Sequence, residues 1–304
     1  MVRRGYVVRG QTPKKRNSDE KIFDAVVNSL AAIILVVVLY PLLFIVSASF
    51  SDPALVLNGE VLLLPKQITL DAYKNVFQNG QIWNGYGNTI VYTIVGTAIN
   101  LIMTTLAAYP LSRPDLPGRG VIMFFVTLTM FFSGGLIPSY LLVKNLGMVD
   151  TMWALVIPGA IATYNLIVMR TYFQSNIPWE IQEAAHIDGC SNWKLLTHVI
   201  LPLSKPILAV MVLFYAVGHW NSFFNALIYI RSKDMYPLQL VLREVLMVSQ
   251  ADAVDSNVGL ENKILLAESI KYVVIIISSL PVLLMYPFVQ KHFVKGVMIG
   301  SLKG

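Results

Sequence analysis

One stretch concentrates the groups able to do chemistry: EIQEAAHIDGCSNWKLLTHVILPLSKP, Glu180 to Pro206, with three carboxylates, two lysines, two histidines and the chain's single cysteine, Cys190. Catalysis would need a nucleophile with a base, or ligands at metal spacing. The four histidines, His186, His198, His219 and His292, are scattered, and the two in this stretch stand twelve apart across a turn. No Walker glycine loop ending in Lys-Ser or Lys-Thr occurs, so the chain offers no nucleotide site of its own. A lone cysteine excludes an internal disulfide. Asp252, Asp255 and Glu261 lack the ligand spacing of an EF-hand and read as a solvated loop. What the stretch can do is bind a partner. The Glu183 carboxylate can pair with a basic group or accept backbone donors, and Ala184 and Ala185 beside it permit close packing.

The elements that position these residues belong to a membrane protein. Hydrophobic residues make up 56% of 304 and charged ones 13%, with a mean hydropathy of +0.63, against roughly a quarter charged in soluble domains. Six stretches reach the roughly 20 helical residues that cross a bilayer: Phe23 to Phe50, Asn84 to Leu111, Gly118 to Val143, Thr151 to Tyr172, Leu203 to Ile230 and Ala267 to Lys291. The expected fold is all-α, with six transmembrane helices and both termini on one side. Fifteen of the 23 basic residues fall on the side of the termini and eight on the other, so the termini are expected in the cytoplasm. The division is a basic segment at 1–22, a membrane domain at 23–291 and a tail at 292–304. The net charge of +6 is a topogenic and lipid-facing distribution, not a nucleic-acid footprint. The apolar run from Ile22 is too long for a cleaved signal and is expected to stay as the first span.

The polar stretch then lies in the cytoplasm between the fourth and fifth spans, at about 175–202. Ser175 or Asn176 is expected to cap a helix opening at Pro178, and Asp188-Gly189 to end it. Ser191 is expected to cap a second short helix, carrying Leu195, Leu196, Val199 and Ile200, that stops at Pro202. The result is a helical hairpin projecting from the membrane. Ser133-Gly134-Gly135 with Pro138 should weaken or bend the third span, and Pro158 removes a hydrogen bond in the fourth, where Asn165 adds a polar side chain. The long outer segments, Ser51 to Trp83 and Arg231 to Leu266, read as small surface elements.

Glu183-Ala184-Ala185, Gly189, nine further residues, then Val199 and Leu201-Pro202 resemble the EAA loop of membrane subunits in ATP-binding cassette importers. Val199 replaces the usual isoleucine, and Cys190 stands where alanine is common. The resemblance covers nearly the whole chain. MFFSGGLIPSYLLVKNLGMVDTMWALVIPGAI and the ending QKHFVKGVMIGSLKG are similar to carbohydrate-uptake permeases for complex, uronic-acid-containing oligosaccharides. The resemblance implies a permease subunit in the bacterial cytoplasmic membrane that is not an enzyme. It implies a coupling hairpin carrying Glu183, Ala184, Ala185, Asp188, Gly189, Leu201 and Pro202 that docks on an ATPase. The implied partners are a second homologous permease, two ATPase subunits holding ATP and Mg, and an extracellular sugar-binding protein. No cofactor is implied for this chain.

A sugar pathway needs hydrogen-bonding groups inside the membrane. At about 100° per residue, Tyr215, Gly218, His219, Ser222 and Asn225 fall on one side of the fifth span with Asn221 at its edge, while Trp220, Phe223 and Phe224 point elsewhere. Such groups face a bundle interior or a wet cavity, and both pathway lining and interhelical hydrogen bonding satisfy that rule. Asn165 joins the candidate lining residues. An importer for a non-sugar solute remains an alternative. A proton-coupled transporter fits less well, because no intramembrane carboxylate partners His219.

Overall fold

The computed structural model describes residues 18–254, 265 and 268–284, and within them every regular element is helical. The expected termini and parts of the acidic outer loop and sixth span lie outside the described residues. The chain divides into two compact units after Thr69.

The first unit is built on α1 (Ser18–Ser49), whose apolar stretch from Lys21 has a mean hydropathy of 2.9 with none of its most apolar window buried. Aliphatic residues from Ile33 to Val38 are more than half exposed on all sides, a surface suited to lipid. At its foot the polar groups turn inward. Ser47 Oγ donates to the Leu63 carbonyl at 2.6 Å, and Lys66 N donates to Ser51 Oγ at 3.0 Å, closing a loop that carries the short α2 (Pro53–Leu57).

The second unit is organised around α4 (Gly80–Ser112), which follows the amphipathic α3 (Asp71–Gln78). Asn79 Oδ1 starts α4 by accepting from Gln81 N at 3.0 Å. Thr89, Thr93, Thr97, Asn100 and Thr104 recur at steps of three and four, so one face of an otherwise lipid-compatible helix is small and polar. All five are buried. That face receives α8 (Thr163–Asn176), α12 (Lys205–Trp220) and α14 (Leu238–Val254). Gly96 permits the approach of α12: a Cβ there would meet His219 Nε2 at 2.4 Å.

Several expected spans are interrupted. The third becomes α5 (Arg119–Phe131) and α6 (Leu136–Asn145), bent by 112° where Gly135 takes φ +84°. The fourth is not one helix, because Pro158-Gly159 separates α7 (Trp153–Val156) from α8. Side chains replace part of the lost backbone ladder: Asn100 Nδ2 donates to the Gly159 carbonyl at 2.6 Å, and Ala162 N donates to Tyr215 Oη at 3.3 Å. The fifth stops at Trp220, and α13 (Phe224–Tyr229) continues it after a break. In the sixth, residues 268–284 are helical.

The segment after Arg231, expected as a small surface element, is partly core. Leu238, Leu240, Val241 and Leu242 of α14 are buried, and Leu238, Val241 and Leu242 pack with Ile270, Val273 and Ile277 in one core. Thr89 Oγ1 secures the start of α14 by accepting from Leu238 N at 2.7 Å.

Candidate functional site: a clamped helical hairpin

The hairpin begins with α9 (Trp179–Ile187) and turns at Gly189, whose φ of +74° favours glycine. Space around Gly189 is open, so its backbone conformation, and no close approach within this chain, requires the residue. The second arm is α10 (Asn192–Leu195), extended by a π-helical turn, Leu196–Ile200, and α11 (Leu201–Leu203). Ser191 caps it as expected, accepting from Lys194 N at 3.3 Å.

Two local expectations are corrected. Ser175 and Asn176 do not cap α9; their side chains donate back to the carbonyls of Thr171 and Tyr172, closing α8. Pro178 itself stands at the N-cap without a side-chain bond. Nor does Pro202 end the second arm. Its missing N–H falls in the first turn of α11, where a helix tolerates it, and the break follows at Ser204 with an 84° bend into α12.

Leu195, Leu196 and Ile200 anchor the hairpin in the core of the second unit with Phe173, Ile177 and Tyr109, and Ala185 and Cys190 pack on them. The outward side stays bare. Ala184 and Asp188 are exposed, and Ile187 is 86% exposed. Glu183 is also exposed, with Oε1 accepting from Trp179 Nε1 at 2.7 Å. Leu201 is half-buried and Pro202 exposed on the second arm.

A residue that sequence reasoning counted only for topology proves central here. Arg113 follows α4, and its side chain is 11% exposed. Its fork meets Asp115 through two bonds, Nε to Oδ1 at 2.9 Å and Nη2 to Oδ2 at 2.6 Å. Nη1 donates to Tyr109 Oη at 3.1 Å and to Asn192 Oδ1 at 2.7 Å, and Nη2 lies 3.2 Å from His186 Nε2. The guanidinium also sits 5.5 Å from the Trp179 ring centre. The hydrogen bonds from Arg113 hold the Asp115 carboxyl below its ordinary range, and the same bonds raise Arg113. The signal was Arg-Pro-Asp at the exit of a long helix, a spacing that suits a local fork. A cleft of about 450 Å³ opens beside it, lined by Leu106, Tyr109, Pro117, Trp193 and Leu196 among others.

The candidate pathway residues do not share one helix face, because α12 ends before Ser222 and Asn225. Tyr215 is buried, its hydroxyl 2.6 Å from Thr104 Oγ1. His219 Nε2 lies 2.6 Å from Asn100 Oδ1. Asn165 is buried on α8. Asn221 and Asn225 are exposed and Ser222 half-buried. Trp220 is buried and donates to the Ser278 carbonyl at 2.9 Å, whereas Phe224 is exposed.

Comparison with known proteins agrees with this architecture. Residues 100–299 match the family described as binding-protein-dependent transport system inner membrane component. Protein LplC of Bacillus subtilis (strain 168) is 45% identical over 268 residues, covering 88% of this chain and 90% of that protein. The polygalacturonan/rhamnogalacturonan transport system permease protein YtcP of the same organism is 39% identical over 287 residues, covering 93% and 99%. A chain in the crystal structure of a bacterial ABC transporter that imports the acidic polysaccharide alginate superposes with a TM-score of 0.82 at 35% identity, covering 93% of this chain and all of that one. As a permease component the chain is neither an enzyme nor the holder of a cofactor. An all-helical, multi-pass chain of this sequence and shape belongs to the inner membrane components of binding-protein-dependent ABC transporters.

Proposed function

We propose that this chain is one of two homologous permeases in an importer for complex oligosaccharides that include uronic-acid sugars. The substrate class rests on the near full-length similarity to YtcP and to the alginate importer chain. The importer would also contain two ATPase subunits, which hold ATP and Mg, and an extracellular sugar-binding protein. Six spans, 23–291, would carry both termini into the cytoplasm, with 1–22 as a basic head and 292–304 as a tail.

The 175–202 hairpin would dock on the ATPase through its exposed side, around Glu183, Ala184, Asp188 and Gly189, with Ala185, Leu201 and Pro202 setting its base. The observation that carries this reading is Ile187. A large aliphatic side chain is left 86% exposed beside the Asp188-Gly189 turn of a core-anchored hairpin, a position open to a protein partner. ATP binding would draw paired hairpins together and open the cavity outward; hydrolysis would reset it. Nucleotide state must then favour one of two conformations by differential contacts at the hairpin. Ser222, Asn221 and Asn225 offer the more accessible polar groups for a passing sugar, while Tyr215, His219 and Asn165 would shape the interior behind them.

The substrate is tested by calorimetric titration of the cognate binding protein with oligogalacturonides, alginate oligosaccharides and neutral maltodextrins, followed by uptake into proteoliposomes holding the complex. Binding and ATP-dependent uptake of the uronate oligomers are expected. Binding of neutral glucans alone, or of no sugar, would refute the substrate class.

A further inference from the structure

We infer that Arg113 is the positioning residue that fixes the hairpin to the end of α4, so that displacement of the hairpin reaches the membrane helices. The inference rests on the hairpin being the ATPase-docking element. Its own basis is the convergence of contacts on one guanidinium. Arg113 reaches the first arm twice, at His186 (3.2 Å) and at the Trp179 ring (5.5 Å), and the second arm once, at Asn192 (2.7 Å). Tyr109 Oη and Asp115 hold it from the α4 side.

Arg113 thus holds polar contacts with both arms and with the end of α4 at once. Trp179 in turn donates to Glu183, so the orientation of the outward carboxylate is set through the same cluster. Beyond Arg113, α4 runs through Thr104 and Asn100 to Tyr215 and His219 of α12, and α12 is joined to the second arm through α11. The hairpin is thus tied to the bundle along the chain at both ends and across space at Arg113. A planar fork with several fixed donors suits this duty, and a lysine ammonium does not reproduce it.

The full complex of both permeases, ATPase and binding protein is reconstituted with Arg113→Gln, Arg113→Lys or Gly189→Asp. Two quantities are read: ATPase retained per permease, and the ratio of hydrolysis with sugar-loaded binding protein to hydrolysis without it. Arg113→Gln should keep the ATPase bound yet lower the ratio about fivefold or more, the size of a typical coupling between sites. Arg113→Lys should recover part of it. A contact that only stabilised the fold would lower the yield of complex and leave the ratio per complex intact. A wild-type ratio in Arg113→Gln, with Gly189→Asp uncoupled, overturns the role of Arg113 and leaves the hairpin reading standing. A wild-type ratio in Gly189→Asp removes the hairpin reading itself. Should Arg113→Gln fail to assemble, His186→Ala combined with Asn192→Ala removes the partners on the arms instead, and an unchanged ratio there also overturns the inference.

Discussion

Gly96 and Asp150 show how single residues set distances that no hydrophobic pattern records. A methyl at Gly96 would lie 2.4 Å from His219 Nε2 and 2.5 Å from Cε1, so Gly96→Ala must push the ring away from Asn100 or part α4 from α12. Overpacking of this kind costs about 1–3 kcal/mol. Thermal unfolding in detergent should show the loss, and adding His219→Ala should return much of it; equal penalties with and without His219 would contradict the contact. Asp150 joins two loops by accepting from Arg231 N, Ser232 N and Ser232 Oγ at 2.6–2.9 Å. These bonds, led by the Ser232 hydroxyl, hold its carboxyl below the ordinary value. A depressed folded pKa contributes stability that is complete above the unfolded value and lost as pH falls through the folded one. The melting difference between the native chain and Asp150→Asn should therefore stay constant from pH 8 to about 5 and close only below about pH 4. A difference that closes near neutrality would refute this account.

At the scale of elements, much of the hairpin was legible because its signals are local. Asp188-Gly189 supplies the turn, Ser191 the cap and Leu195, Leu196 and Ile200 the buried side. The spans were less legible. Hydropathy measures length across the bilayer but not continuity: Pro158 marked a weak point in the fourth span, but the stop at Trp220 was hidden inside a run that looked whole. The polar stripe of the fifth span failed as a single face for that reason, since residues beyond Trp220 leave the helical register. Arg113 was missed because its partners, His186 and Asn192, lie more than seventy positions away. Single cysteines in a Cys190→Ser background can separate the two groups of polar residues. Asn221→Cys and Asn225→Cys should react with a small water-soluble thiol reagent on the order of tenfold faster than Tyr215→Cys and Asn165→Cys, because a buried thiol ionises poorly. Equal protection at all four positions would place Asn221 and Asn225 against packed neighbours or lipid.

At the scale of the whole molecule, the polar seam of α4 links the membrane helices, while the hairpin presents a bare apolar tip on an anchored base. Composition was enough to identify a membrane protein, and the Glu183 to Pro202 pattern was enough to suggest the family. The substrate was not legible in that pattern, since sugar selection depends on side chains brought together by the broken spans and on partner chains. The central claim is that nucleotide chemistry in a partner drives this chain through the hairpin. The most direct measurement is hydrolysis by the reconstituted complex with Gly189→Asp, because an aspartate there must adopt φ +74° at a cost of about 1–2 kcal/mol and adds a charge to the proposed docking side. The account predicts that stimulation by sugar-loaded binding protein collapses while membrane insertion persists; full stimulation with coupled uptake in that variant would contradict it.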